Sequence, residues 1–425
     1  MTQKNAAPAS GSILVVGGGI SGLTTALEAA EVGYEVFLID KAPSLGGRVS
    51  QMNQYFPKLC PPTCGLEINF RRIKDNPLIK VLTMAQVEKV EGTAGDYSVT
   101  IKMMPRLVNE NCTACNLCVD VCPVERDNDF NFDMDRTKAI YRPHEMSFPM
   151  RYVIDPLVCR KEACAKCVEV CPVNAVDLKM EPKTLDLKVG AIVWATGWEP
   201  YDASKIDNLG FGRYENIITN MMMERLAAPN GPTKGKIVRP SDGGAPESIA
   251  FVQCAGSRDQ NHLPYCSYIC CMASLKQTTY VRERYPNAKV YIFYIDLRAP
   301  GQRYEKFYRT IKQDENVFLV KGKVAEVQED PSTKDITVIA ENAVTGEKIR
   351  QTVNMVVLAT GMRPTAAGAR LPANLQYTEE GFILSDAETG GMFAAGCAAK
   401  PADVVSSNQN ATGAALRAIQ TLVRR

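Results

Sequence analysis

The sequence predicts an α/β protein in which parallel-sheet units carry a cysteine-rich insertion. Three observations point there. The chain opens on a strand, a glycine turn, a helix and a second strand. Two apolar strands, "AIVWATGWEP" (191 to 200) and "MVVLATGMRP" (355 to 364), repeat one pattern and bracket about one further domain. Between residues 106 and 185 apolar periodicity fades and cysteines cluster.

A chain of 425 residues, 45% of them hydrophobic, can bury a full core and divides into two or three domains. Lys plus Arg (49) nearly balances Asp plus Glu (47), so no field of one sign points to nucleic acid or anionic lipid. No run reaches the roughly 20 apolar residues of a membrane-spanning helix, and "MTQKNAAPASG" lacks the apolar stretch of a leader. The expectation is a cytoplasmic chain whose membrane connection comes through a partner. Fifteen cysteines without a leader then favour thiolate metal sites over disulfides, and two histidines are too few for a poly-His site.

Ile13 to Val16 reads as a buried strand, and Leu23, Ala26, Leu27 and Ala30 recur at helical spacing up to Gly33. Glu35 to Ile39 is a second strand ending at Asp40. Between the first strand and the helix, Gly17, Gly19 and Gly22 form G-x-G-x-x-G. The first glycine permits the tight turn and the second lets backbone approach a pyrophosphate. The third packs helix on strand, and the helix N-terminus, with Ile20 and Ser21, stabilises the anion. Asp40 is placed to accept ribose hydroxyls, with Lys41 beside it. The motif is weak alone, but its strand context makes dinucleotide binding the stronger reading than a merely tight turn. The continuation "KAPSLGGR" resembles the loop of FAD enzymes with two dinucleotide domains, where Gly46, Gly47 and Arg48 lie along the pyrophosphate and flavin. The cofactor set also takes in Val87, the Ala195-Thr196-Gly197 turn, and Gly396 with Cys397.

Cys112, Cys115, Cys118 and Cys122 in "CTACNLCVDVCP" follow C-x2-C-x2-C-x3-C-P, the bacterial ferredoxin run. A second run, "CRKEACAKCVEVCP", supplies Cys159, Cys164, Cys167 and Cys171, with four residues in its first gap where the pattern has two. By the ferredoxin exchange rule, one [4Fe-4S] cluster takes Cys112, Cys115, Cys118 and Cys171, and the other Cys159, Cys164, Cys167 and Cys122. Four-cysteine zinc is the competing reading. Two runs that both end Cys-Pro-Val fit clusters better.

Residues 248 to 252 and 289 to 295 read as strands around a helix from Met272 to Tyr285, a second α/β domain. Its first strand runs into "CAGSRDQNHLPYCSYICC", with one glycine where a phosphate loop needs three, so NADH binding there is not expected. Adjacent Cys270 and Cys271 cannot easily share one tetrahedral ion but can hold two irons of a larger cluster; packed structural thiols are the plainer alternative. Cys60 and Cys64 in "CPPTC" are read as structural or flavin-lining rather than as a redox dithiol. "ERDNDFNFDMD" (125 to 135) lacks EF-hand spacing and reads as a turn-rich linker, and "DLRAPGQRYEKFYRTIKQ" (296 to 313) as a solvated helix edge.

"VVGGGISGLTTALEAAEVGYEVFLIDKAPSLGGR", the double ferredoxin run and "FVQCAGSRD…YCSYICC" together resemble the family of flavin-bearing iron-sulfur subunits of heterodisulfide reductase. "QYFPKLCPPTCGLEINFRRIK" is similar to the branch found in the quinone-interacting membrane-bound oxidoreductase of sulfate reducers. The resemblance runs from about Ile13 onward. It implies an FAD-binding Rossmann-like domain, a second Rossmann-like domain of thioredoxin-reductase type and a two-cluster ferredoxin-like insert. The expected boundaries are 1–105, 186–235 and 351–425 for the first domain, 106–185 for the insert and 236–350 for the second. It further implies a third [4Fe-4S] cluster on Cys254, Cys266, Cys270 and Cys271. The implied partners are adenylylsulfate reductase, a second related iron-sulfur flavoprotein, and a membrane protein carrying haem and iron-sulfur centres. Relatives carry Gly-Asp where this chain has Gly396-Cys397, so the carboxylate contact to the ribityl chain is lost or passes to backbone. An NAD(P)H-dependent flavin disulfide reductase using Cys60 and Cys64 is the rival from another class, and a structural protein whose clusters only brace the fold is a third.

Overall fold

The computed structural model describes residues 11–385 and 390–423, so "MTQKNAAPASG" falls almost wholly outside the described residues. The chain divides into two compact units, one comprising Met1–Ser50, Thr63–Trp198 and Pro364–Arg425, the other Gln51–Pro62 and Glu199–Arg363.

In the first unit, β-branched and aliphatic runs form a five-stranded parallel sheet ordered Met392–Ala394, Ala191–Trp194, Ser12–Val16, Glu35–Asp40, Ile79–Thr83. Its central strands are buried on both faces, which is why "ILVV" and "AIVW" show no alternation. The helix Ile20–Glu31 turns Leu23, Ala26, Leu27 and Ala30 inward, as their spacing predicts, and the chain leaves it through Gly33 at φ +98°. An antiparallel sheet of Lys183–Val189, Asp96–Met103 and Ala85–Thr93 shares a core with the parallel sheet through Leu14, Ile39, Val99, Ile101 and Trp194.

The cysteine-rich segment lies in this same unit. It has a small core of its own, built on Leu107, Val108, Ile140, Tyr152, Ile154 and Val176. "ERDNDFNFDMD" is more ordered than a linker: Glu125–Asp127 pairs with Arg136–Lys138 as a hairpin, and buried Asn131 donates to Asp135 at 2.9 Å inside its turn. Spaced turn residues hide the two three-residue strands from a periodicity reading.

The second unit carries a seven-stranded sheet ordered Ile217–Thr219, Met355–Thr360, Ser248–Ala255, Lys289–Tyr294, Val317–Glu329, Ile336–Asn342, Lys348–Val353. The first five strands run parallel; Ile336–Asn342 pairs antiparallel to the fifth, and Lys348–Val353 antiparallel to Ile336–Asn342. Residues 199–235, expected with the first domain, fold here because Ile217–Thr219 pairs with Met355–Thr360. "YEKFYRTIK" lies on the helix Gln302–Lys312, which buries Phe307 and Ile311 and leaves its charged face in water.

A buried ionic network explains why Gln51–Pro62 belongs to this unit. Glu224 and Lys276, side chains 2% and 3% exposed, pair at 2.8 Å. The Glu224 carboxylate also accepts from the Asn53 amide, Gln277 and Tyr280, and Lys276 donates to the Gln54 carbonyl at 2.7 Å. Glu224→Gln leaves the Lys276 ammonium buried without its counter-charge. The expected loss is about 3–5 kcal/mol in urea unfolding followed by circular dichroism, the range for breaking one half of a buried pair.

Candidate cofactor and metal centres

The glycine turn of the first unit is a backbone cradle in which Gly17 and Gly22 leave no room for a side chain. A Cβ on Gly22 would stand 1.8 Å from the Gly17 carbonyl oxygen, and one on Gly17, at φ +110°, 2.3 Å from that of Ala195. The loop after the second strand closes over this turn: Gly46 donates to Gly18 at 2.8 Å, and a Cβ on Gly47 would come within 2.8 Å of Gly19 Cα. Gly396, at φ +62°, lies against Ser21, with 2.0 Å between its notional Cβ and Ser21 Oγ. Thus Gly17, Gly19, Gly22, Gly46, Gly47, Ser21 and Gly396, from three stretches of the sequence, gather at the carboxyl ends of the parallel strands.

The helix begins at Ile20 with no side chain capping its first turn, the arrangement that favours an anion. Asp40 stands at the end of its strand, its carboxylate accepting from Gly18 at 2.6 Å and Ala42 at 2.7 Å. Burial pushes this carboxyl up, against the Ala42 and Gly18 amides and the Lys41 charge, which pull it down. Its remaining lone pairs can still accept from hydroxyls. Arg48 donates through Nε to Trp198 O at 3.3 Å. Thr196 Oγ1 is buried with no partner, the kind of orphan a bound molecule satisfies. The cradle fits a dinucleotide.

Two members of the predicted set contribute less than expected. The partly buried Val87 side chain packs against the core shared by Leu14 and Ile39. Cys397 is buried and turns its thiol to Ala402 O at 3.4 Å and Ser407 Oγ at 3.8 Å, so its side chain does not replace the missing carboxylate. Burial pushes that thiol up to about 11 despite the Ser407 and Ala402 contacts.

The insert gathers its eight cysteines into two hollows. One is lined by Cys112, Cys115, Cys118 and Cys171, the other by Cys122, Cys159, Cys164 and Cys167. Each hollow therefore takes three cysteines from one run and the last cysteine of the other. The two runs fold alike: left-handed backbone occurs at Ala114 and Asn116 in the first, and at Lys161 and Ala165 in the second. Short helices Leu117–Asp120 and Lys166–Glu169 follow. The longer gap after Cys159 is absorbed by the 3-10 turn Lys161–Ala163, which keeps Cys159 at its hollow.

Backbone amides point at sulfur here, Lys161 N to Cys159 Sγ at 3.3 Å and Ala175 N to Cys171 Sγ at 3.2 Å. Burial raises Cys171, but the amides of Ala175, Val173, Val176 and Asn174 outweigh it and leave this thiol lowered. Cys118 is pushed up to about 12 by burial and by neighbouring Cys112, and Cys167 up to about 11 by burial, Cys159 and Cys122. Thiols that raise one another in this way ionise together only when a cation neutralises them. Among the described residues, no three His, Cys, Asp or Glu side chains close on the point a single metal ion would occupy. A donor set of four thiols around a hollow suits a cluster better than mononuclear zinc.

Arg106 is a residue that sequence reasoning missed. Buried, it donates to the carbonyls of Pro43, Tyr152 and Arg151 and to Thr83 Oγ1, fastening the glycine loop to the insert. Leu45 N to Phe148 O at 2.8 Å and Phe148 N to Ser44 Oγ at 2.9 Å add to the seam. No local signal marks Arg106, because its partners are remote in sequence.

In the second unit the strand Ser248–Ala255 ends in a kink with Cys254 at φ +56°, and the helix begins only at Cys270. In the first unit, by contrast, Gly17–Gly19 alone separates strand from helix. The long loop is braced by Ser257 Oγ to Ser267 Oγ at 2.9 Å. It also packs on Gly361 of the second Ala-Thr-Gly turn, where a Cβ would stand 2.2 Å from Ser257 Oγ. It brings Cys254, Cys266, Cys270 and Cys271 within electrostatic reach of one another. Cys254 is pushed up to about 11 by burial and Cys271, and Cys270 is raised by burial and the other three. Cys60 and Cys64, by contrast, are exposed.

The chain is similar to known proteins in sequence and in fold. Residues 15–74 match the model of the NAD(P)-binding Rossmann-like domain. A CoB--CoM heterodisulfide reductase iron-sulfur subunit of Methanopyrus kandleri is 38% identical over 96% of this chain. Over nearly its whole length this chain is similar to iron-sulfur subunits A of heterodisulfide reductase. Another such relative, from the ferredoxin/F(420)H(2)-dependent CoB-CoM heterodisulfide reductase of Methanosarcina acetivorans, is 38% identical over 97% of the chain. The chain spans 64% and 53% of the length of these two heterodisulfide reductase relatives. Thioredoxin reductases of T. acidophilum and Lactococcus lactis share the fold, with TM-scores of 0.53 and 0.52 at 13% identity; each match covers 97% of this chain, and 97% and 99% of theirs. The α/β class with Rossmann-like, thioredoxin-reductase-like units is thereby established.

Proposed function

We propose that this chain is an FAD and iron-sulfur electron-transfer component of an oxidoreductase complex. One observation carries the reading: a dinucleotide cradle and two four-cysteine hollows occupy one compact unit, with Arg106 fastening the loop of the first to the segment of the second. The names of the heterodisulfide reductase relatives, which specify iron-sulfur subunits, support it.

Bound FAD would supply a two-electron centre and the clusters one-electron centres. The chain's own part is to hold and insulate. The glycine turn and the Ile20–Glu31 N-terminus take the pyrophosphate, Asp40 the ribose, and the Ala195-Thr196-Gly197 turn and Arg48 the flavin side. The thiols of Cys112, Cys115, Cys118 and Cys171 hold one [4Fe-4S] cluster, those of Cys122, Cys159, Cys164 and Cys167 a second, and Cys254, Cys266, Cys270 and Cys271 a third. Amide-to-sulfur hydrogen bonds and burial set the working potentials, and no side chain need act as acid, base or nucleophile.

In its finer form, the complex passes electrons between cytoplasmic adenylylsulfate reductase and a menaquinol-linked membrane protein carrying haem and iron-sulfur centres. A second related flavoprotein completes it. The chain itself then sits at the cytoplasmic side of the inner membrane, held there by partners; among the described residues no helix is long and apolar enough to cross a membrane.

The test is iron, sulfide and FAD per chain, together with reduction by NADH. About twelve irons per FAD supports three clusters, about eight removes the third, and stoichiometric zinc without iron removes the reading. NADH should leave the flavin oxidised while a low-potential donor bleaches it. Rapid bleaching by NADH, with disulfide turnover lost in Cys60→Ser, would install the NAD(P)H-dependent disulfide reductase instead.

A further inference from the structure

The third cysteine set lies among fixed charges that ligation alone does not require. Arg258 is in left-handed backbone, and its amide donates to Tyr265 O at 3.0 Å, closing the loop so that Arg258 comes beside Cys254 and next to the residue preceding Cys266. Its guanidinium pairs through Nη1 with Asp296 Oδ2 at 2.8 Å, and its positive charge acts on the Cys254 and Cys266 thiols. The carbonyl oxygen of Asp296 in turn lies 3.5 Å from Cys271 Sγ. Arg258 is thus held from two sides, with 27% of its side chain exposed.

We propose that Arg258, held in place by Asp296, sets the reduction potential of the cluster carried by Cys254, Cys266, Cys270 and Cys271. It is a positioning residue, and the proposal rests on the reading that these four cysteines hold iron. Reduction adds one electron and makes or breaks no bond, so the four-thiolate body gains one negative charge. A guanidinium charge held beside it favours the reduced form, because nearby charge is a lever on such potentials. Asp296 acts with the opposite sign, weakened by its pairing with Arg258.

The experiment is a potentiometric titration of the full chain with reconstituted clusters, using dithionite as one-electron donor and following the clusters by electron paramagnetic resonance. Arg258→Gln should change the oxidised-to-reduced ratio of this cluster about tenfold at fixed potential, a lowering of about 59 mV for a one-electron couple. Arg258→Lys should keep most of the native value, and Asp296→Asn should move it upward. A cluster whose midpoint is unmoved in Arg258→Gln, or shifts in the same direction in Arg258→Gln and Asp296→Asn as mere loosening would produce, overturns the proposal alone. A wild-type chain with about eight irons and no third signal overturns it together with the reading beneath it.

Discussion

Replacing Cys171 by Ser should cost the chain about four irons, and they should be those of the Cys112, Cys115 and Cys118 cluster rather than those of the run Cys171 belongs to. Pairs of variants decide this. With exchange, Cys171→Ser combined with Cys115→Ser loses no more iron than either alone, since both strip one hollow. Cys171→Ser combined with Cys164→Ser loses about eight, since the hollows lined by these residues are different. If each run held its own cluster, the two results would be interchanged. Iron analysis with the electron paramagnetic resonance signals of the reduced protein distinguishes them.

Gly22→Ala should weaken flavin binding severalfold to a hundredfold or so, by about 1–3 kcal/mol. The added methyl would sit 1.8 Å from Gly17 O, a distance no flexible side chain can relieve because the obstacle is backbone. Helix and turn must part, and overpacking of this kind costs about 1–3 kcal/mol or more. Since about 1.4 kcal/mol is tenfold in affinity, that cost corresponds to FAD affinity lower by about fivefold to 150-fold, read by flavin fluorescence titration. Gly65→Ala is the control: it lies in the helix Pro62–Asp75 with nothing within 4 Å of its Cβ position, and should keep its flavin with unchanged or slightly higher stability. A Gly22→Ala protein with unchanged FAD affinity would refute the cradle.

The chemistry-bearing motifs are legible in the sequence because each is local. G-x-G-x-x-G stands between a strand and a helix where backbone sterics demand glycine, and the two cysteine runs have the spacing of a single folded turn. The exchange of Cys122 and Cys171 is legible only through a general rule about two-cluster runs. The extra residues after Cys159 obscure its place until the 3-10 turn accounts for them. Residues 199–235 fall on the far side of the expected boundary because strand pairing, not composition, fixes where Ile217–Thr219 lies. Cys397 shares the cofactor edge with its neighbour Gly396 in sequence, yet its thiol faces Ala402 and Ser407, a direction set by packing.

By itself the sequence determined which backbone could approach a pyrophosphate, which thiols came in cluster spacing and that the second strand-to-helix connection lacks a phosphate turn, since all of these depend on residues a few positions apart. Only the tertiary structure decided that Arg106 ties Pro43 to Tyr152, that Glu224 draws residues 51–62 into the second unit, and that Arg258 and Asp296 flank Cys254 and Cys271. Most of those contacts join residues tens to hundreds of positions apart. Which of the many charged side chains ends up buried is settled by the packing of the whole unit, which leaves no periodicity for a linear reading to find.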